Sequence, residues 1–215
     1  MNTKETDRKF ERHETSRLEA FSDGVFAIAI TLLVLDLIEI LKPGESKDLL
    51  TYYLQNWQPF LAFLIGFITI LVCWINHHHV FIYITRVDSN LFWVNGFVLL
   101  LITFTPFPTA ILAAYLGKQG SPALAIYGFN YFLISVASYC LTFYAFKKSL
   151  VRRETRRFFY HLAVLYGYSV VYTLVAFFVC FISNAAAIVL YLILFSVFAF
   201  PKEFTAFLMN RSKKK

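Results

Sequence analysis

Six apolar runs of near membrane-spanning length divide this chain of 215 residues. Hydrophobic residues make up 59% of the chain and charged residues only 15%, which is too apolar for a water-soluble domain of this length. The pattern therefore predicts an all-α integral membrane protein of one six-helix domain. The predicted spans lie roughly at residues 17–41, 57–84, 90–116, 122–146, 158–182 and 184–208.

The basic residues indicate the orientation of the chain in the membrane. Of the 20 Lys and Arg residues, all but Lys42, Lys47 and Lys118 fall in the N-terminal tail, the second-to-third connection, the fourth-to-fifth connection or the C-terminal segment. The positive-inside rule then places both termini in the cytoplasm. We expect a cytoplasmic tail over residues 1–16, a transmembrane domain over 17–208 and a basic tail over 209–215. The net charge of +7 calls for anionic lipid headgroups and not for nucleic acid.

The first span carries polar groups where a membrane helix begins. Arginine, serine and aspartate are costly there unless they have partners, so Arg17, Ser22 and Asp23 are candidate site residues. At 100° per residue, one apolar stripe lies within about 60° of Ile28. Ser22 and Asp23 point to the opposite side of the helix. The stripe contains Gly24, Ile28, Thr31, Leu32, Leu35 and Glu39.

Two interpretations of this division remain open from the pattern alone. In the first, the stripe packs against a neighbouring helix and Ser22 caps the first helix. Asp23 then reaches toward the membrane interface, where its negative charge interacts favourably with the dipole at the helix start. In the second, Ser22 and Asp23 hold the first helix against its neighbours while the stripe faces a central pathway. Gly24 would then widen the inner mouth, and Glu39 would collect cations at the outer mouth.

Three consecutive histidines, His77 to His79, end the second span. Adjacent side chains on a helix diverge by about 100°, so three in a row cannot converge on one metal ion. We expect interface histidines, with one or two bonded to Ser22 or Asp23, and Asn95 as a further member of that network. No metal site and no cofactor are expected.

The chain lacks several motifs that would indicate other mechanisms. It contains no Thr-Val-Gly-Tyr-Gly filter, no arginine-rich voltage helix and no recognisable catalytic set. Carboxylates are scarce at mid-membrane depth, which counts mildly against a proton-coupled carrier. The chain is therefore not expected to be an enzyme. A secondary or proton-coupled cation transporter, a membrane enzyme using His77–His79 and a scaffolding protein stay as alternatives.

The start of the first span resembles a known family. Arg17-x-x-x-Phe21-Ser22-Asp23 is similar to the R-x-x-x-F-S-D signature of the transmembrane protein 175 family of potassium channels. The likeness continues through Gly24–Asp36, through Trp74 with His77 and His78, and from Leu91 past Asn95 to Pro106. It covers the first three spans well and the last three by length and count only. With one six-helix repeat, the chain resembles the prokaryotic members, which are homotetramers, so a multi-pass protein of a prokaryotic cell membrane is expected.

The resemblance implies a leak-type, potassium-preferring channel for monovalent cations. Four copies of the first helix would line its pore, with an apolar constriction in place of a carbonyl filter and a block by dewetting when it is closed. Ile28 matches the narrowest ring, and Thr31 matches a ring linked to potassium preference. Leu35 matches a further apolar ring, with Leu32 beside it.

The resemblance also implies a structural role for the signature. Arg17, Ser22 and Asp23, beside Phe21, match residues that tie the first helix to the second and third. In the family these ties involve Trp and His residues like Trp74 and His77. The resemblance does not decide between His77 and His78.

Overall fold

The structure is a computed structural model that describes residues 3–40, 50, 51, 54, 56–115 and 120–200. Over these ranges the regular structure is helical, apart from a single antiparallel bridge between Ile84 and Val151. The helices are α1 (Thr3–Ile40), α2 (Gln58–Tyr83), α3 (Ser89–Phe104), α4 (Pro106–Tyr115), α5 (Gly120–Lys147), α6 (Arg156–Val179) and α7 (Asn184–Ala199). A short 3₁₀ turn, Arg153–Thr155, precedes α6.

Five described segments are long and apolar enough to cross a membrane, with α3 and α4 together forming the third. α7 is a shorter apolar helix of 16 residues. The all-helical prediction is therefore confirmed. The helical part of the N-terminal region is longer than predicted, because α1 begins at Thr3 and includes most of the expected tail. The end of the sixth predicted span and the tail 209–215 lie outside the described residues.

The third span is interrupted at Thr105, directly before Pro106. Proline has no N–H group and clashes with the preceding turn, so a helix breaks there. Two hydrogen bonds stabilise the break, one from a hydroxyl on the same span and one from a side chain on a neighbouring helix. The carbonyl of Thr105 accepts the hydroxyl of Thr109 at 2.9 Å, and the amide of Asn130 on α5 donates to Oγ1 of Thr105 at 3.1 Å.

α1 packs against α2, α3 and α4, while α6 and α7 pack on the other side of the bundle, against α5 and α2. The α1 side of this contact is made of apolar residues at helical spacing: Leu18, Phe26, Ala29 and Leu33. Gly66 on α2 permits the close approach, because a Cβ placed there would lie 2.9 Å from Thr109 Cγ2 and 3.2 Å from Leu33 Cδ2. Small residues allow such contacts between membrane helices.

The connections α2–α3 and α5–α6 are joined at one end of the bundle. The N–H of Thr85 donates to the carbonyl of Leu150 at 2.8 Å, and the N–H of Arg152 donates to that of Tyr83 at 3.1 Å. Asp88 caps α3 by accepting the N–H of Leu91 at 2.8 Å. These bonds fix the connection between α2 and α3 against the one between α5 and α6.

Gly66→Val should therefore destabilise the α1–α2–α4 contact. The added methyl groups must displace Thr109 and Leu33, and overpacking of this kind costs about 1–3 kcal/mol. Gly96→Val on α3 is the matched control, because a Cβ at Gly96 meets no heavy atom within 4 Å. Thermal melting of both purified variants checks this, and equal melting temperatures would contradict the close packing at Gly66.

Candidate functional site: the two faces of α1

α1 presents two opposite faces from residue 18 to residue 38. One face is buried by α2, α3 and α4 and includes Ser22, whose exposure is 0%. The other face is left uncovered by its own chain. Its apolar members include Ile28, Leu32 and Leu35, with exposures of 60%, 42% and 52%. The structure therefore separates the stripe from the polar signature, as the helical angles predict.

Small and hydroxyl side chains interrupt the uncovered stripe. A Cβ built on Gly24 would meet no heavy atom within 4 Å. Thr31 is exposed, and its hydroxyl donates to the carbonyl of Ile28 at 2.9 Å. Because the hydroxyl hydrogen is used within the helix, the oxygen of Thr31 keeps its acceptor capacity free toward the uncovered side.

A buried hydrogen-bond chain joins α1 to α3 and α2. The hydroxyl of Ser22 donates to the carbonyl of Leu18 at 2.8 Å, and the amide of Asn95 donates to Oγ of Ser22 at 2.9 Å. Oδ1 of Asn95 lies 2.7 Å from Nε2 of His77. Asn95 has no exposed surface and His77 only 5%. We call Ser22, Asn95 and His77 the buried tether.

A second pair of contacts joins α1 to α2 alone. Nε1 of Trp74 donates to Oδ1 of Asp23 at 2.9 Å. Nδ1 of His78 lies 3.1 Å from Oε1 of Glu19, and its ring stacks on Trp74 with 5.8 Å between the ring centres. Each helix thus contributes two side chains four residues apart, which places them one above the other on the facing surfaces. We call these four residues the rim tether.

Two residues of the predicted signature network, Arg17 and Phe21, lie apart from both tethers. Arg17 is exposed and pairs with Glu14 on its own helix, with 3.6 Å between Nη1 and Oε1; within the described part of the chain it has no ion pair with another helix. An exposed pair of this kind contributes little stability. The side chain of Phe21 is 64% exposed on the uncovered side. The side chain of Glu39 lies outside the described residues.

The histidine run divides between the two tethers. His77 bonds to Asn95 on α3 and His78 contacts Glu19 on α1, so they point to different helices. Among the described residues, no three His, Cys, Asp or Glu side chains come close enough to hold a metal ion. Sequence reasoning missed Glu19, although its position four residues before Asp23 places both carboxylates on one face of α1.

Comparison with known proteins identifies the family. A model described as endosomal/lysosomal potassium channel TMEM175 matches residues 17–106, the segment that holds α1 from Arg17 onward, both tethers and the break at Pro106. The crystal structure of a lysosomal potassium-selective channel TMEM175 homolog from Chamaesiphon minutus superimposes with a TM-score of 0.77 and 38% identity. The chain belongs to the TMEM175 family. This confirms the resemblance seen in the sequence.

The structural likeness extends beyond the first three spans. It covers 88% of this chain and 98% of the Chamaesiphon structure, and thus includes helices after α4. Two similar sequences are each named a potassium channel. One from Chamaesiphon minutus is 48% identical over 128 residues, and one from Streptomyces collinus is 40% identical over 125 residues.

The matched segments span 59% and 58% of this chain, and 63% and 60% of those relatives, which is less than two thirds of their length. All of these names describe ion channels and none describes an enzyme.

Trp74→Phe should weaken the rim tether without changing the fold of the chain. The ring stays, but the carboxylate of Asp23 loses its indole donor, at a cost of about 1–2 kcal/mol inside a membrane protein. Trp93→Phe is the matched control, because Trp93 is 81% exposed. Detergent melting curves measure both. A Trp74→Phe curve that coincides with the Trp93→Phe curve would show that the indole bond does not hold α1.

Proposed function

We propose that this protein is a potassium-preferring cation channel in which four copies assemble and each contributes α1 to the pore. The observation that carries the proposal is the uncovered stripe on α1. α1 buries its polar signature face against α2, α3 and α4 and leaves Ile28 and Leu35 without cover from its own chain. The names of the relatives support the choice of potassium.

The composition of the stripe suits a pore wall. It includes Gly24 and the exposed hydroxyl of Thr31, which would give width and oxygen ligands to a central pathway. An equivalent stripe from each of four copies would close around one axis.

The constriction in this proposal is a ring of Ile28 side chains. Such a ring offers no oxygen ligands, so ions pass hydrated or partly hydrated, and a closed ring blocks by dewetting. Leu32 and Leu35 extend the apolar lining outward. Selectivity is modest, because potassium gives up water more readily than sodium but only the Thr31 oxygens replace it. Glu39 collects cations at the outer mouth.

The two tethers act on the position of α1 and not on permeation. Ser22 and Asp23 face protein and contact Asn95 and Trp74, so ions in the pore do not meet them. Arg17 pairs with Glu14 on its own helix and Phe21 is exposed, so we assign the support of α1 near the cytoplasmic side to the two tethers and not to these two residues. Both termini are cytoplasmic, and the basic connections contact anionic lipid headgroups of the cell membrane.

Ile28→Asn should raise conductance severalfold and lower the preference for potassium over sodium. The amide wets the ring and removes the apolar barrier. Val34→Asn is the matched control, since Val34 is exposed on α1 but lies about 120° from Ile28. Single-channel recording in planar bilayers is the measurement.

Three outcomes of that recording would oppose the proposal. Unchanged currents and reversal potentials in Ile28→Asn would remove Ile28 from the pore. Equal effects of Val34→Asn would show a general loss of helix packing. Flux without unitary steps in the wild type would favour a secondary transporter.

Thr31→Ala should bring the potassium-to-sodium permeability ratio toward unity while leaving the conductance similar. The substitution removes four pore oxygens and little volume. Thr103→Ala is the matched control, because Thr103 on α3 is an exposed threonine whose hydroxyl also donates within its own helix. Bi-ionic reversal potentials measure the ratio, and identical ratios before and after Thr31→Ala would refute this role.

A further inference from the structure

The backbone carbonyl of Leu18 determines which atoms donate and which accept in the buried tether. A carbonyl can only accept, so the single hydroxyl hydrogen of Ser22 points to Leu18. Oγ of Ser22 must therefore accept from the amide NH₂ of Asn95. This leaves Oδ1 of Asn95 facing Nε2 of His77, and that oxygen can only accept. Nε2 of His77 must carry a hydrogen.

In the uncharged imidazole only one ring nitrogen carries a hydrogen, so Nδ1 of His77 is a bare acceptor. This atom is buried and has no hydrogen-bond partner among the described residues. A buried polar atom without a partner is costly, and an ordered water is the usual explanation in native proteins. The missing partner must be a hydrogen-bond donor.

His77 lines a small cavity of about 10 Å³ between α1, α2, α3, α5 and α6. This volume is close to what a single water requires. The cavity is adjacent to a second one of about 30 Å³, whose lining is partly apolar and includes the polar side chains of Asn76, Ser135 and Ser169. Cys73, Ile134, Ser138 and Tyr166 line both cavities.

The second cavity adjoins another set of bonds made by the residue before His77. The amide of Asn76 donates to the carbonyl of Phe198 on α7 at 2.8 Å, and the hydroxyl of Tyr166 on α6 donates to its Oδ1 at 3.2 Å. Asn76 thus joins α2 to α6 and α7. His77 joins α2 to α3 and, through Asn95, to α1.

We propose that a water molecule bound in the smaller cavity donates a hydrogen bond to Nδ1 of His77. Further waters in the larger cavity, bound to its polar side chains, connect this water to the groups around Asn76 and Tyr166. The two networks on α2 then form one hydrogen-bonded path from α1 to α7. This water site does not depend on the proposed ion conduction, because it lies in the interior of one protomer and not on the pore axis.

A high-resolution cryo-EM map of the full chain in lipid nanodiscs tests the site directly. We expect a water peak about 2.7–3.2 Å from Nδ1 of His77. We also expect ¹⁵N signals of the uncharged Nε2–H tautomer in solid-state NMR of histidine-labelled protein. An empty site in a map that resolves waters elsewhere in the bundle would overturn the proposal. A hydrogen on Nδ1, or a side chain of the chain itself in contact with Nδ1, would do the same.

Two substitutions separate the nitrogens of His77. His77→Gln places its amide near the position of Nε2, so it should keep the contact with Asn95 and lose the water peak. His77→Asn places its amide near Nδ1, so it should keep the water and lose the contact with Asn95. His161→Gln is the control and should leave both unchanged. A water peak that persists in His77→Gln would show that the cavity hydroxyls hold it and would overturn the assignment to Nδ1.

Discussion

The need to give each polar group of α1 a partner inside the membrane determines how that helix is turned. Ser22, Asp23 and Glu19 all face α2 or α3, where Asn95, Trp74 and His78 meet them. An aspartate at the centre of a membrane helix costs about 2.5–3.5 kcal/mol on insertion scales when it faces lipid. Turning α1 by half a revolution would break every one of these contacts. The apolar stripe around Ile28 is uncovered because the opposite face is occupied.

The individual contacts are modest, so their arrangement matters more than any one of them. A hydrogen bond between membrane helices averages about 0.6 kcal/mol. The two tethers engage α1 over about one turn, from Glu19 to Asp23, with Trp74 and His78 of α2 at matched spacing and Asn95 contributed by α3. Gly66 adds a close steric contact further along α2. Together they hold one rotation of α1, and this is the property that a pore-lining helix requires.

Much of this could be predicted from the sequence, because helical periodicity and the cost of buried polar groups act locally. The separation of Ile28 and Leu35 from Ser22 follows from 100° steps alone, and the break at Pro106 follows from proline chemistry. Hydrogen-bond and ion-pair partners on different helices could not be predicted in the same way. The sequence predicts Asn95 and His77 in one network, but not that His77 bonds to Asn95 instead of Ser22 or Asp23. This choice, the contact of Glu19 with His78 and the local pairing of Arg17 depend on how α2 and α3 approach α1. That approach is set by contacts between residues far apart in the chain.

The most direct test is a cryo-EM reconstruction of the full chain in lipid nanodiscs that locates Ile28 relative to any symmetry axis. The account predicts four copies around one axis, with Ile28 side chains forming the narrowest ring and with Ser22 and Asp23 turned away into protein. A monomer, or an assembly in which Ile28 contacts lipid, would contradict it.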